Sequence, residues 1–227
     1  DVPRDAPLSD LVDLFWGGWH RALVKTEDAV VVASQSDVAR FVAANLPRLF
    51  SERTAKRRLR DCLPGLSSSS SDASNVVAVR ATDTAVRALS LLVRRNVSAV
   101  PVVDPDSGRL VATFSTTDLR HLTSSSIPDL AHGVLEFLAN HGARKTPHFE
   151  EPRTFRGREG AARLGEADSE KGDDVITPPD SRLGVPHTCL LDDRLDFVLY
   201  KLLALQVHRL FVVDPDTRRP IGVVALG

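Results

Sequence analysis

Methionine is absent from the 227 residues, and cysteine occurs only twice, as Cys62 and Cys189. Without an initiating methionine, the sequence reads as a trimmed piece of a longer protein. The two cysteines lack any C-x-x-C spacing, so they read as ordinary structural thiols of a reducing compartment rather than metal ligands. An excess of one charge is also missing: 29 basic residues face 30 acidic ones, for a net charge of −1. That balance excludes a broad polyanion-binding surface. The one basic run, Lys56-Arg57-Arg58-Leu59-Arg60, reads as a solvated face rather than a nucleic-acid contact. No stretch approaches the roughly 20 apolar residues of a membrane span, and the polar start Asp1-Val2-Pro3-Arg4 has no apolar signal core. The chain is therefore expected to be soluble and intracellular, without nucleic-acid or membrane partners.

Catalytic signatures are missing as well. There is no Gly-rich loop ending in GK[ST], no GxSxG elbow and no HExxH pair. His132, His141, His148 and His187 are scattered, and read as surface or linker residues rather than metal ligands. Glu150-Glu151 reads as solvated loop. Trp16 and Trp19 flank Gly17-Gly18, and core or interface packing is expected of them rather than base stacking. The expectation is a protein without catalysis of its own and without a metal.

What is present is a repeat. The run Asn96-Val97-Ser98-Ala99-Val100-Pro101-Val102-Val103-Asp104-Pro105-Asp106 matches Gln206-Val207-His208-Arg209-Leu210-Phe211-Val212-Val213-Asp214-Pro215-Asp216, with Val102 against Val212. At the same offset Ala85, Ala88, Leu89, Leu92 and Val93 lie above Leu195, Val198, Leu199, Leu202 and Leu203, each set spaced as one helical stripe. Asp83, and Asp192 or Asp193, are placed to cap those helices. Each copy predicts strand, helix, strand, turn, strand. The strands of the middle copy are Val76–Val79, Ala99–Val103 and Leu110–Phe114, with a second helix over Thr117–Leu122. In the last copy they are Thr188–Leu190, Leu210–Val213 and Ile221–Leu226. A degenerate copy opens the chain: Leu8, Leu11, Val12 and Phe15 form a stripe, Trp19-His20-Arg21-Ala22-Leu23-Val24 parallels Val207–Val212, and Ala29–Ala33 is a strand. Its first strand is expected to be missing. The domain reading is a partial module over 1–45, a helical and Ser-rich connector over 46–74, a module over 75–123, a helix (Ile127–Leu138) plus a mobile charged linker over 124–183, and a module over 184–227 that is truncated at its end.

The segments NVSAVPVVDPDSGRLVATFSTTDLRHL and QVHRLFVVDPDTRRPIGVVALG resemble the cystathionine-β-synthase-type (CBS) module, and VHRLFVVD is similar to the gamma subunits of AMP-activated-type kinases, in the style of the plant gamma-like branch. The resemblance implies an α/β (α+β) fold of βαββα modules, paired through their sheets into a Bateman-type unit with adenosine ligands in the clefts. It implies a non-catalytic regulator that binds AMP, ADP or ATP and acts on kinase alpha and beta subunits in the cytoplasm and nucleus, with a homodimer through the modules as a further arrangement. The rivals are an adaptor that has lost its ligand and a regulatory piece of a larger enzyme or transporter.

The family's ligand motif, a hydroxyl residue followed three positions later by aspartate, is matched by Ser34-Gln35-Ser36-Asp37 and Ser115-Thr116-Thr117-Asp118. A carboxylate there can accept from vicinal ribose hydroxyls; the plainer alternative is a helix cap. His20-Arg21 and His208-Arg209 match positions that face phosphate, with a solvated edge pair as the alternative. Ser98-Ala99 departs from that pattern in the middle copy, and Ala225 replaces the hydroxyl in the last. Thr82 and Thr188 match positions near the base.

Overall fold

Strands that are apolar on both faces need cover on both faces. Ala99–Val103 and Arg209–Val213 meet that need as central strands of separate three-stranded sheets in the computed structural model, which describes residues 2–63, 66, 76–120, 122–142 and 183–226. The serine run and nearly all of the expected charged linker lie outside the described residues.

The first unit comprises β1 (Val2–Pro3), α1 (Leu8–Trp16), β2 (Arg21–Lys25), β3 (Val30–Ser34) and α2 (Gln35–Ala44). Three single-turn helices follow: α3 (Leu46–Leu49), α4 (Glu52–Ala55) and α5 (Leu59–Cys62). The second unit has β4 (Val79–Arg80), α6 (Ala85–Arg95), β5 (Ala99–Val103) and β6 (Leu110–Ser115), then 3-10 turns at Thr116–Leu119 and Ile127–Ala131 and helix α7 (Val134–His141). The third has β7 (Thr188–Cys189), α8 (Leu195–Ala204), β8 (Arg209–Val213) and β9 (Pro220–Ala225).

In every sheet a short first strand runs parallel to the central one, and a hairpin completes it. The repeat survives in detail. Ala99 pairs with Ser115 and Arg209 with Ala225, and the ladder shifts at Val102/Val103 and again at Val212/Val213. Asn96 and Gln206 end the two helices with φ of 50° and 54°. In the second and third units the hairpin is folded by an aspartate: Asp104 Oδ1 accepts from the Ser107 amide at 2.8 Å, and Asp214 Oδ1 from the Thr217 amide at 2.8 Å. Contrary to expectation the first unit does have a first strand, since Val2 and Pro3 pair parallel with Val24 and Lys25.

Three other expectations are corrected. The N-caps of α6 and α8 are Thr84 and Arg194. Asp83 instead accepts the Arg80 amide at 3.0 Å, and Asp193 the Leu190 amide at 2.8 Å, so these carboxylates fold the turn before the helix. The helix foreseen over Ile127–Leu138 breaks at His132-Gly133, because that backbone crosses Thr84: Ala85 N–H donates to His132 O at 3.0 Å and Val134 N–H to Asp83 O at 2.8 Å. Val93 is 73% exposed, whereas Ala85, Ala88 and Leu92 are buried. Its place at the edge of the helical stripe leaves it beside the sheet rather than over it.

The second core gathers Val79, Ala88, Leu92, Val102, Phe114 and Phe137; the third gathers Cys189, Val198, Leu202, Leu210 and Val212 together with Leu59 of α5. Leu59 is thus core, not solvated face, while its neighbours Arg58 and Arg60 reach Asp192 at 3.0 and 2.6 Å. The second and third units pair through their sheets: Leu110 clusters with Leu190, Phe211 and Val213, Leu110 N–H donates to Arg218 O at 3.1 Å, and Arg219 Nε donates to Ser107 O at 2.7 Å. Gly108, at φ 71°, sits under that guanidinium, and a Cβ there would meet Arg219 Nε at 2.9 Å. The equivalent sheet face of the first unit is open, with Leu23, Val30 and Val32 48%, 57% and 53% exposed; the unit is held instead by α2 against α8.

Burial pushes the Cys189 thiol up to about 12, so it is not a thiolate at neutral pH. Iodoacetamide at pH 8 is expected to label the half-buried Cys62 and to reach Cys189 only after denaturation. Equal labelling of both in the native chain, read by mass spectrometry, would contradict this packing.

Candidate functional site

The site grows out of the ends of the paired hairpins. Where β6 leaves its sheet, Ser115 and Asp118 close a capping box: the Ser115 amide and hydroxyl donate to Asp118 Oδ2 at 2.7 and 2.8 Å. Asp118 is 6% exposed. Across from it, His208 immediately precedes β8, which begins with Arg209. Arg209 Nη2 donates to Ser98 Oγ of the second unit at 2.5 Å, and burial lowers this guanidinium below its ordinary value.

Between these groups lies a cavity of about 360 Å³. Ser98, Ser115 and Asp118 line it from one unit, and His187, His208 and Arg209 from the other. Its apolar wall includes Ala99, Leu138, Leu183, Val207 and Phe211. The lining therefore combines a carboxylate, a guanidinium, imidazoles and an apolar wall, at a size that suits a small organic ligand.

Of the residues singled out in the sequence, the fold brings Ser115, Asp118, His208 and Arg209 to one cavity. Thr188 is buried beside it in β7, next to His187 on the wall. Thr82 is exposed in the turn before α6 and does not line it. His20, Arg21, Ser34 and Asp37 stand together on the first unit instead. Arg21 is the cross-strand partner of Ser34, and Gln35 meets His20 Nδ1 at 3.2 Å. Asp37 accepts from the Ser34 hydroxyl at 2.6 Å and from Arg40 at 2.8 Å; the serine hydroxyl and amide, then Arg40, hold its carboxyl below the usual range. Both hydroxyl-aspartate motifs thus do form helix caps.

Several residues take their place only in the fold. Ser98, set aside as a departure from the His-Arg pattern, lines the cavity and binds Arg209. Thr116 and Thr117 line it too, and their place inside the Ser-x-x-Asp motif was the available signal. His187 is cavity wall rather than linker. His141 is packed against Phe137, centroids 5.1 Å apart, and binds Asp129 at 2.8 Å, so it is structural rather than surface. Trp16 and Trp19 are 92% and 64% exposed and belong to no core. His148 and Glu150-Glu151 lie outside the described residues. Among the described residues no group of three or more His, Cys, Asp or Glu is placed to hold a metal, and no helix is long and apolar enough to cross a membrane.

His187 gives the site a pH signature. Burial, then the nearby Lys201 charge, lowers its pKa from 6.5 to about 4. Protonation is disfavoured in the folded state, so the unfolded chain takes up the proton first as pH falls. The stabilisation is complete above pH 6.5, is lost between 6.5 and 4, and amounts to at most about 3 kcal/mol. Urea midpoints at pH 7 and pH 4.5 should differ less in His187→Gln than in the parent chain. Equal pH slopes in the two would contradict the half-buried, neutral imidazole.

Residues 72–125 match the family model of the CBS domain. No curated protein matches the sequence. Among solved structures, a Methanocaldococcus jannaschii protein described as a candidate archaeal homologue of the AMPK gamma subunit aligns at TM-score 0.57 and 15% identity, over 99% of this chain and 63% of that one. This chain therefore spans less than two thirds of that relative's length. An uncharacterised conserved protein from Pyrococcus horikoshii aligns at TM-score 0.58 and 17% identity, over 100% of this chain and 76% of that one. At such identities the likeness establishes fold alone. The paired sheets, the shared architecture and the family match converge on one statement: the chain contains a CBS domain at residues 72–125, preceded and followed by units of the same strand order.

Proposed function

We propose that the chain is a non-catalytic regulatory subunit that binds an adenine nucleotide between its second and third units and thereby modulates a partner protein kinase. The observation that carries this reading is the cavity whose wall joins Ser115 and Asp118 of one unit to His208 and Arg209 of the other. The carboxylate suits ribose hydroxyls, the planar guanidinium fork suits phosphate oxygens, and the apolar wall suits a base. Because Arg209 also ties the units together through Ser98, a ligand that engages it acts on their pairing as well. Ligand then shifts the partner only to the extent that it binds two arrangements unequally. Kinase alpha and beta subunits are the partners this reading names, with a cytoplasmic and nuclear location. The open face of Leu23, Val30 and Val32 supports pairing with a further module, as in a homodimer.

The test is calorimetric titration with AMP, ADP and ATP. Saturable heat from at least one, lost in Asp118→Ala, is the expected result; no heat and no thermal shift at millimolar nucleotide would sink the ligand reading. An adaptor that has lost its ligand is favoured by one observation, Ala225 in the place of the motif hydroxyl in the third unit. Co-purification with kinase subunits that is indifferent to nucleotide would support that reading.

A further inference from the structure

We propose that Ser98 is a phosphorylation site, and that its phosphate occupies the anion-binding end of the cleft and excludes nucleotide. The second clause rests on the nucleotide reading above; the first stands without it.

Ser98 is exposed, in the turn between α6 and β5 that Asn96 opens at φ 50°. Its hydroxyl is the atom to which Arg209 already donates, at 2.5 Å, and it lies on the cavity wall. It occupies the position held by His20 and His208 in the other copies, so a neutral hydroxyl stands where those carry a cationic-capable ring. Its own backbone carbonyl accepts from the Thr116 amide at 3.0 Å, which fixes it beside the Ser115–Asp118 turn. Arg95 and Arg94, both exposed, lie three and four residues before it. Two guanidinium groups on that side of a serine are the charge that the acidic substrate groove of a basophilic protein kinase selects.

In the transfer, Ser98 Oγ attacks the γ-phosphorus of ATP held by such a kinase. The Oγ–P bond forms, the bond to the β,γ-bridging oxygen breaks, ADP leaves, and the hydroxyl proton passes to the kinase base. The product carries about −1.5 to −2 charges and three acceptor oxygens at a point already within reach of Arg209. The phosphoserine then takes the guanidinium that a nucleotide phosphate would use and adds repulsion against that phosphate. The regulation is competition from within the chain, needing no distant coupling.

The experiment incubates the chain with ATP and a basophilic serine/threonine kinase and maps the product by mass spectrometry. Phosphate on Ser98 is expected, lost in Ser98→Ala and strongly reduced in Arg95→Ala, which leaves AMP binding unchanged. The phosphorylated chain and Ser98→Glu are expected to bind AMP about 10-fold or more weakly. Absence of phosphate at Ser98 while other serines are modified overturns the first part. A Ser98→Glu chain that binds AMP as tightly as its parent overturns the second. If the parent binds no nucleotide, the earlier reading falls; phosphorylation is then judged by melting temperature, which the new Arg209 contact raises in the parent and not in Arg209→Ala.

Discussion

Phe114→Ala is expected to destabilise the chain by about 3–5 kcal/mol. Phe114 is fully buried in the second core, where its ring meets Phe137 at a centroid distance of 5.9 Å and a tilt of 53°. Truncation removes the apolar area, the aromatic pair and the dispersion contacts that line the void. Domains are stable by only about 5–15 kcal/mol, so this loss is a large share of the total. The melting temperature should fall by roughly 10 °C, read by circular dichroism. The effect extends to the site. Phe137 anchors α7, and α7 supplies Leu138 to the cavity wall. A shift below about 2 °C would mean that this core is not packed as described.

Arg209→Ala is expected to weaken AMP binding by about 10- to 100-fold, the loss of one charge-assisted contact to phosphate. Arg209→Lys should recover only part of it, because an ammonium lacks the planar fork. The same truncation leaves Ser98 without its cross-unit partner, so a small drop in melting temperature should accompany it. Fold loss and site loss are separable: Phe114→Ala lowers stability first, Arg209→Ala lowers affinity first. Arg209→Ala binding AMP like the parent would remove the guanidinium from the ligand site.

The sequence carried the fold wherever local pattern and repeat agreed. The stripe over Ala85–Leu92, the apolar strands Ala99–Val103 and Leu210–Val213, and the Asp-Pro-Asp turns appear as expected because each is set by periodicity or turn chemistry within about a dozen residues. What it hid depends on distant partners. Leu59 becomes core only because Leu59 N–H meets Asp193 O and Arg60 N–H meets Leu191 O, contacts that no local pattern encodes. Gly133 breaks its helix because of Thr84, and β1 is two residues long and defined by pairing with β2. The site was half legible. The motif residues Ser115, Asp118, His208 and Arg209 were visible as chemistry at matching repeat positions. Ser98 and His187 were not, since a serine that departs from a pattern and a histidine before a strand gain their meaning from the opposite wall of the cleft.

Backbone amide chemical shifts of the chain, followed as AMP is added, test the central claim most directly. The account predicts saturable shifts at Ser98, Thr116–Asp118, Val207 and Arg209, with His20, Arg21, Ser34 and Asp37 of the first unit unmoved. Saturable shifts confined to the first unit, or none anywhere at millimolar AMP, would contradict it.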